Sequence, residues 1–189
     1  DRLFNGINEA TGQNLTRYEM LYILLSHLGI DVETVPISVL DSFFKECDSL
    51  FFEHRPLLTD PGISSTVHAM REAGITLSIL SNTGFILGES LRKMLPLLGL
   101  KDCFDFQLYS DELGASKPSL HAFTEVYRLA TEIRPLEKLE ILHLGDNRKA
   151  DYDGARSADM YALLLDPVND RLSDLLIPLT CIPALQGTK

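Results

Sequence analysis

Ile141-Leu142-His143-Leu144-Gly145-Asp146-Asn147-Arg148-Lys149-Ala150-Asp151 is the stretch on which the fold turns. An apolar run ends in a glycine, and two carboxylates follow, five residues apart. Asp146 comes directly after a strand-like segment, and Asp151 sits at the start of a helix-like one. Carboxylates held at a strand end are hard oxygen ligands suited to Mg2+. Gly145 permits close backbone approach. Gly154-Ala155 places small residues where the next helix must pack against the sheet. Ligands of open α/β sheets bind outside the carboxyl ends of the strands. The stretch therefore predicts a sheet and a site at its rim together. His143, inside the apolar run, reads as a packed core residue.

Two more segments of this kind precede it. Ser81-Asn82-Thr83 follows the apolar run over 75–80. A hydroxyl there can bond a phosphate oxygen, and the N–H groups of Asn82 and Thr83 can add donors. Ser116-Lys117-Pro118 opens a helical segment over 118–131. Proline is preset for a first helical turn, and a lysine beside a helix N-terminus makes an anion site.

Around these segments strands and helices alternate. Strands are expected over 75–80, 104–109, 140–144 and 161–165, and helices over 86–98, 118–131 and 149–158. Continuous apolar strands alternating with helices mean a parallel sheet covered on both faces, a Rossmann-like α/β fold. Asp60 and Pro61 read as N-cap and first position of a helix ending at Gly74. A short helix is expected over 170–176.

Upstream of Arg55-Pro56 the style differs. Helical spacing runs over 3–10, 15–28 and 38–54, without one convincing strand. Phe43, Phe44, Leu50 and Phe51 are expected on the buried side of the third helix, and Tyr18, Tyr22, Phe43 and Phe44 as core of this block. The chain thus divides into a helical unit, 1–55, and an α/β unit, 56–189.

Bulk properties narrow the function. The 189 residues carry a net charge of −10, which disfavours nonspecific nucleic-acid binding. No apolar run approaches the ~18 residues of a membrane span. Cys47, Cys103 and Cys181 are an odd number without CxxC pairing, which fits free thiols in a reducing, cytoplasmic setting. No G-x-G-x-x-G follows any strand, so a dinucleotide enzyme is disfavoured.

At its three segments the chain resembles the haloacid dehalogenase-like (HAD) hydrolase superfamily. Leu77-Ser78-Ile79-Leu80-Ser81-Asn82-Thr83 looks like the second motif, Ser116-Lys117-Pro118 like the third, and Gly145-Asp146 with Asp151, Gly154-Ala155, Ala158 and Met160 like the fourth. Asp159 stands where a glycine is common. The resemblance implies an α/β core with a cap, residues 1–55 being that cap. It implies that Asp146 ligates Mg2+, that Asp151 supports the metal shell, that Ser81 binds the transferring phosphoryl group, and that Lys117 holds nucleophile and phosphate together. The function implied is a Mg2+-dependent phosphatase acting on a small phosphorylated metabolite through an aspartyl-phosphate.

The family's first motif, an aspartate nucleophile with a second aspartate two residues on, is absent before the helical unit. Asp105-Phe106-Gln107 and Asp166-Pro167-Val168 both lack the second aspartate. The expectation is that the central first strand and its nucleophile lie upstream of Asp1. Two alternatives remain open: a dehalogenase that attacks carbon and needs no Mg2+, and a HAD-like protein that binds without catalysis.

Overall fold

The computed structural model describes residues 2–174. The first part is helical: α1 (Arg2–Thr11), α2 (Arg17–His27) and α3 (Ile37–Glu53). Thr16 starts α2 with a reciprocal cap. Its hydroxyl accepts from the Glu19 N–H, and the Glu19 carboxylate accepts from the Thr16 N–H. Leu21, Leu40 and Phe44 form a small core. Phe85, far along the chain, inserts its ring 6.1 Å from Phe44 and 5.9 Å from Phe43. The buried stripe of α3 is therefore narrower than its sequence suggests. Leu40 and Phe44, one turn apart, are buried, whereas Phe43 is 39% and Leu50 42% exposed. One neighbouring helix and one loop cannot cover a wider face.

The helix after residue 56 begins later than expected. It is α4 (Ile63–Glu72). Asp60 does not cap it. Its carboxylate accepts from the N–H groups of Gly62 and Ser173, joining this turn to a distant part of the chain.

Strand and helix then alternate: β1 (Ser78–Ser81), α5 (Gly88–Met94), β2 (Phe106–Tyr109), α6 (Ser110–Leu113), α7 (Leu120–Ile133), β3 (Leu142–Gly145), α8 (Gly154–Ser157) and β4 (Tyr161–Leu164). The helix expected over 86–98 is split into α5 and a 3-10 turn, Leu95–Leu98. Pro96 has no N–H to continue an α-helical ladder. The helix expected over 149–158 is a π-helical turn, Arg148–Asp153, followed by α8. The helix expected over 170–176 reaches past the described residues, and Cys181 lies beyond them; Cys47 and Cys103 are free thiols.

The strands are parallel, as expected. Ser78 pairs with Phe106 and Ser81 with Tyr109, while Leu142 pairs with Tyr161 and Gly145 with Leu164. They form two separate two-stranded sheets, and β1 does not pair with β3. What joins the two pairs is side-chain packing. Phe123, Ala155, Ala158 and Met160 are buried together, with Leu80, Tyr127, Ile141 and Ala162 against them. The small residues at 154–155 do allow close approach, but to α7: a Cβ on Gly154 would lie 2.7 Å from the Phe123 ring. Asp159 adopts φ 64°, the left-handed region that favours glycine. Among the described residues no helix is long and apolar enough to cross a membrane.

Candidate active site

The ends of β1 and β3 face one cavity of about 370 Å³. Ser81 and Asn82 line it from β1, Asp146 and Asp151 from the loop after β3, and Lys117 from the segment before α7. Of the residues expected at the site, these five are brought together. Thr83 is not among the lining residues. It is buried, its N–H donates to Ser110 Oγ at 2.8 Å, and its hydroxyl donates to Asp111 at 2.9 Å. Its polar groups brace the turn after β1 against α6, so they are not available to a ligand in the cavity.

Lys117 is placed differently from the helix-mouth expectation. Ser119 is the N-cap and α7 starts at Leu120, so Pro118 lies outside the first helical turn, within which the helix dipole acts. The lysine is instead fixed by side chains and strand ends. Asn82 clamps its backbone: Asn82 Nδ2 donates to the Lys117 carbonyl at 3.0 Å, and Asn82 Oδ1 accepts from the Lys117 N–H at 2.8 Å. Lys117 Nζ donates to the Leu80 carbonyl at 2.9 Å and to Asp151 Oδ1 at 2.6 Å. The amine thus bridges the end of β1 to the loop after β3. An ammonium has three N–H donors, and these two bonds leave one for an anion in the cavity.

Asp151 is the organising acid of this loop. Its Oδ1 also accepts from His143 Nε2 at 2.9 Å, and its Oδ2 accepts from the Asn147 N–H at 3.0 Å. Burial pushes its carboxyl up, but the His143 hydrogen bond, the Lys117 charge and the Asn147 N–H outweigh burial and hold it far below the usual carboxylate range. Expected beside Asp146 as a metal-shell residue, Asp151 has both oxygens engaged by protein donors. Gly145 makes this possible, because any side chain there would occupy the space of the Asp151 carboxylate.

The depressed acidity has a consequence for stability. A carboxyl that is more acidic folded than unfolded stabilises the fold fully above its unfolded value, about 3.9. That contribution is lost as pH falls below about 4 toward the folded value. Asp151→Asn is therefore expected to lower stability at neutral pH and to flatten the acid limb below about pH 4, read by urea unfolding across pH.

Asp146 is exposed and lines the cavity. Among the described residues no group of three or more His, Cys, Asp or Glu side chains converges as a preformed metal cage. Mg2+ does not require one, since it is commonly held by one or two carboxylates, waters and a substrate phosphate. An exposed carboxylate beside a hydroxyl, a lysine and open volume fits that ion.

Two residues of the site carried no motif in the sequence. His143, expected as a packed core residue, is half-buried with its ring edge-on to Phe123 at 5.2 Å, and its Nε2 serves Asp151. Its signal was position: two residues before Gly145 in a strand, it points to the same face. Glu9 of α1 also lines the cavity, and its carboxylate accepts from Asn147 Nδ2 at 3.1 Å. No local pattern distinguishes it from any other glutamate on a polar helix face.

The sequence profile of the haloacid dehalogenase-like hydrolases matches residues 9–159. Haloacid dehalogenase-like hydrolase domain-containing protein 3 of Homo sapiens is 35% identical over 113 residues, 57% of this chain and 42% of that protein. Ribulose-1,5-bisphosphate 5-phosphatase of Halopiger xanaduensis is 31% identical over 124 residues, 63% of this chain and 46% of that protein. The crystal structure of a HAD phosphatase from Thermococcus onnurineus superposes with a TM-score of 0.50 at 29% identity, covering 59% of this chain and 48% of that one. Magnesium-bound YfnB from Bacillus subtilis shares the fold, with a TM-score of 0.54 at 20% identity over 64% of this chain and 54% of that one. The chain spans less than half the length of these curated relatives. With the three segments converging on one cavity in a parallel α/β fold, this chain belongs to the haloacid dehalogenase-like hydrolase family.

Proposed function

We propose that this hydrolase is a Mg2+-dependent phosphatase of a small phosphorylated metabolite, working in the cytoplasm through an aspartyl-phosphate. The observation that carries the reading is Lys117: an ammonium only 11% exposed, held between Leu80 O and Asp151, with one donor free in a cavity shared with Ser81 and an exposed Asp146. Two relatives are named as phosphatases, of 5-amino-6-(5-phospho-D-ribitylamino)uracil and of ribulose-1,5-bisphosphate, which favours phosphorus over carbon as the atom attacked.

In this reading the nucleophile is an aspartate on a strand lying between β1 and β3, whose adjacent edges are not paired with each other. Residues 1–55 act as the cap. The aspartate carboxylate attacks phosphorus, the P–O bond to the leaving alcohol breaks, and a second acid supplies that alcohol's proton. Water then cleaves the acyl phosphate, releasing phosphate and restoring the carboxylate. Ser81 Oγ donates to one phosphoryl oxygen, and Lys117 Nζ lies against nucleophile and phosphoryl charge. Asn82 and Asp151 act through Lys117, one on its backbone and one on its amine. Asp146 holds Mg2+, which when bound neutralises phosphoryl charge.

The test is hydrolysis of p-nitrophenyl phosphate by the full-length protein across a Mg2+ titration. Activity is expected to require Mg2+, and Asp146→Asn is expected to raise the half-saturating Mg2+ at least about tenfold. Metal-independent release of halide from a 2-haloacid, without phosphate release, would point to the dehalogenase instead. Turnover of neither substrate would favour a binding role.

A further inference from the structure

The cavity has one wall from a distant part of the chain. Glu9, close to the C-terminal end of α1, reaches into it with a side chain 20% exposed. Its Oε1 accepts from Asn147 Nδ2, and its Oε2 lies 3.6 Å from Lys149 Nζ. Asn147 is itself fixed, because its Oδ1 accepts from the N–H groups of Lys149 and Ala150. The carboxylate is therefore anchored to the loop that carries Asp146. A fixed anion beside a phosphoryl site opposes binding of a phosphate, and none of the chemistry assigned above uses it.

We propose that Glu9 selects the leaving group: it favours phosphomonoesters whose alcohol portion presents a hydroxyl or ammonium, and rejects those bearing a second phosphate or a carboxylate. The inference rests on the phosphatase reading. A hydroxyl or ammonium donates to the carboxylate, whereas a second anion meets like charge and finds no donor there. Lys149 does not cancel this field. It is 55% exposed, and its longer contact is weakened by water. The cationic groups that line the cavity itself reduce to Lys117 among the described residues, and Lys117 is already paired with Asp151. One phosphoryl group can be matched there, and a second anion has no cation to meet.

The experiment compares kcat/KM of the full-length protein on glycerol 1-phosphate, phosphoethanolamine, phosphoglycolate and ribulose 1,5-bisphosphate, for the wild type, Glu9→Gln and Glu9→Lys. Melting temperatures show that each variant is folded. The wild type is expected to prefer the first two by about tenfold, chiefly through KM. Glu9→Gln keeps an acceptor for Asn147 and should erase most of that preference, and Glu9→Lys should reverse it. Hydrolysis with the same order of preference in all three proteins would overturn the role of Glu9 alone. Hydrolysis of none of the four, nor of p-nitrophenyl phosphate, would overturn the phosphatase reading and this inference with it.

Discussion

Lys117→Ala is expected to lower kcat on p-nitrophenyl phosphate by about a thousandfold, in the range found when one preorganised charge-stabilising donor is removed. In the proposed function the lost group is the cation set against the phosphoryl oxygens, an ammonium that lines the cavity. Among the described residues no other basic side chain lines the cavity to replace it. Stability should fall as well. The Asp151 side chain is 6% exposed and would keep only His143 and the Asn147 N–H as donors. A buried carboxylate left without its countercharge costs about 2–3 kcal/mol, somewhat under the usual value because two donors stay. Urea unfolding measures this. The double variant Lys117→Ala/Asp151→Asn separates the two losses. It should recover part of the stability, since the orphaned charge is gone, and none of the activity. Turnover left intact in the single variant would refute the role of Lys117.

Gly145→Ala should be nearly as damaging, through geometry rather than charge. The added methyl would come within 2.5 Å of the Asp151 side chain. Gly145 does not lie in the left-handed region, so the penalty is steric and not conformational. It sits at the end of β3, paired with Leu164, and its carbonyl accepts from the Leu165 N–H. The strand cannot retreat without breaking that ladder, so Asp151 must move. Moving it breaks the bonds to Lys117, His143 and Asn147 together. Overpacking together with loss of the ion pair is expected to cost about 3–5 kcal/mol. Turnover of p-nitrophenyl phosphate should fall with the same mutation, although Gly145 is not among the residues lining the cavity. Pairing Gly145→Ala with Asp151→Ala tests the cause: removing the obstructed side chain should restore part of the stability. A melting temperature unchanged by Gly145→Ala alone would refute the close-approach argument.

Local pattern alone determined the parallel α/β class, the helical character of the first part of the chain and the ordering of the three site segments. Each depends on near neighbours: apolar runs that end in Ser81 or Gly145, small residues at 154–155, and caps such as Thr16 with Glu19. Element ends were less legible, because Asp60 and Pro118 carry helix-start chemistry that the fold uses elsewhere. Asp60 ties residues 60–62 to Ser173, and Pro118 precedes the cap at Ser119. Only the tertiary structure decided which polar groups face the cavity. Thr83 lies two residues past Ser81, yet Ser110 and Asp111 turn it away. His143 looks like core and also holds Asp151. Glu9 reaches Asn147 across 138 residues of sequence. Periodicity reports the side of an element on which a residue lies, whereas a hydrogen bond between distant segments forms only after packing has brought their backbones together.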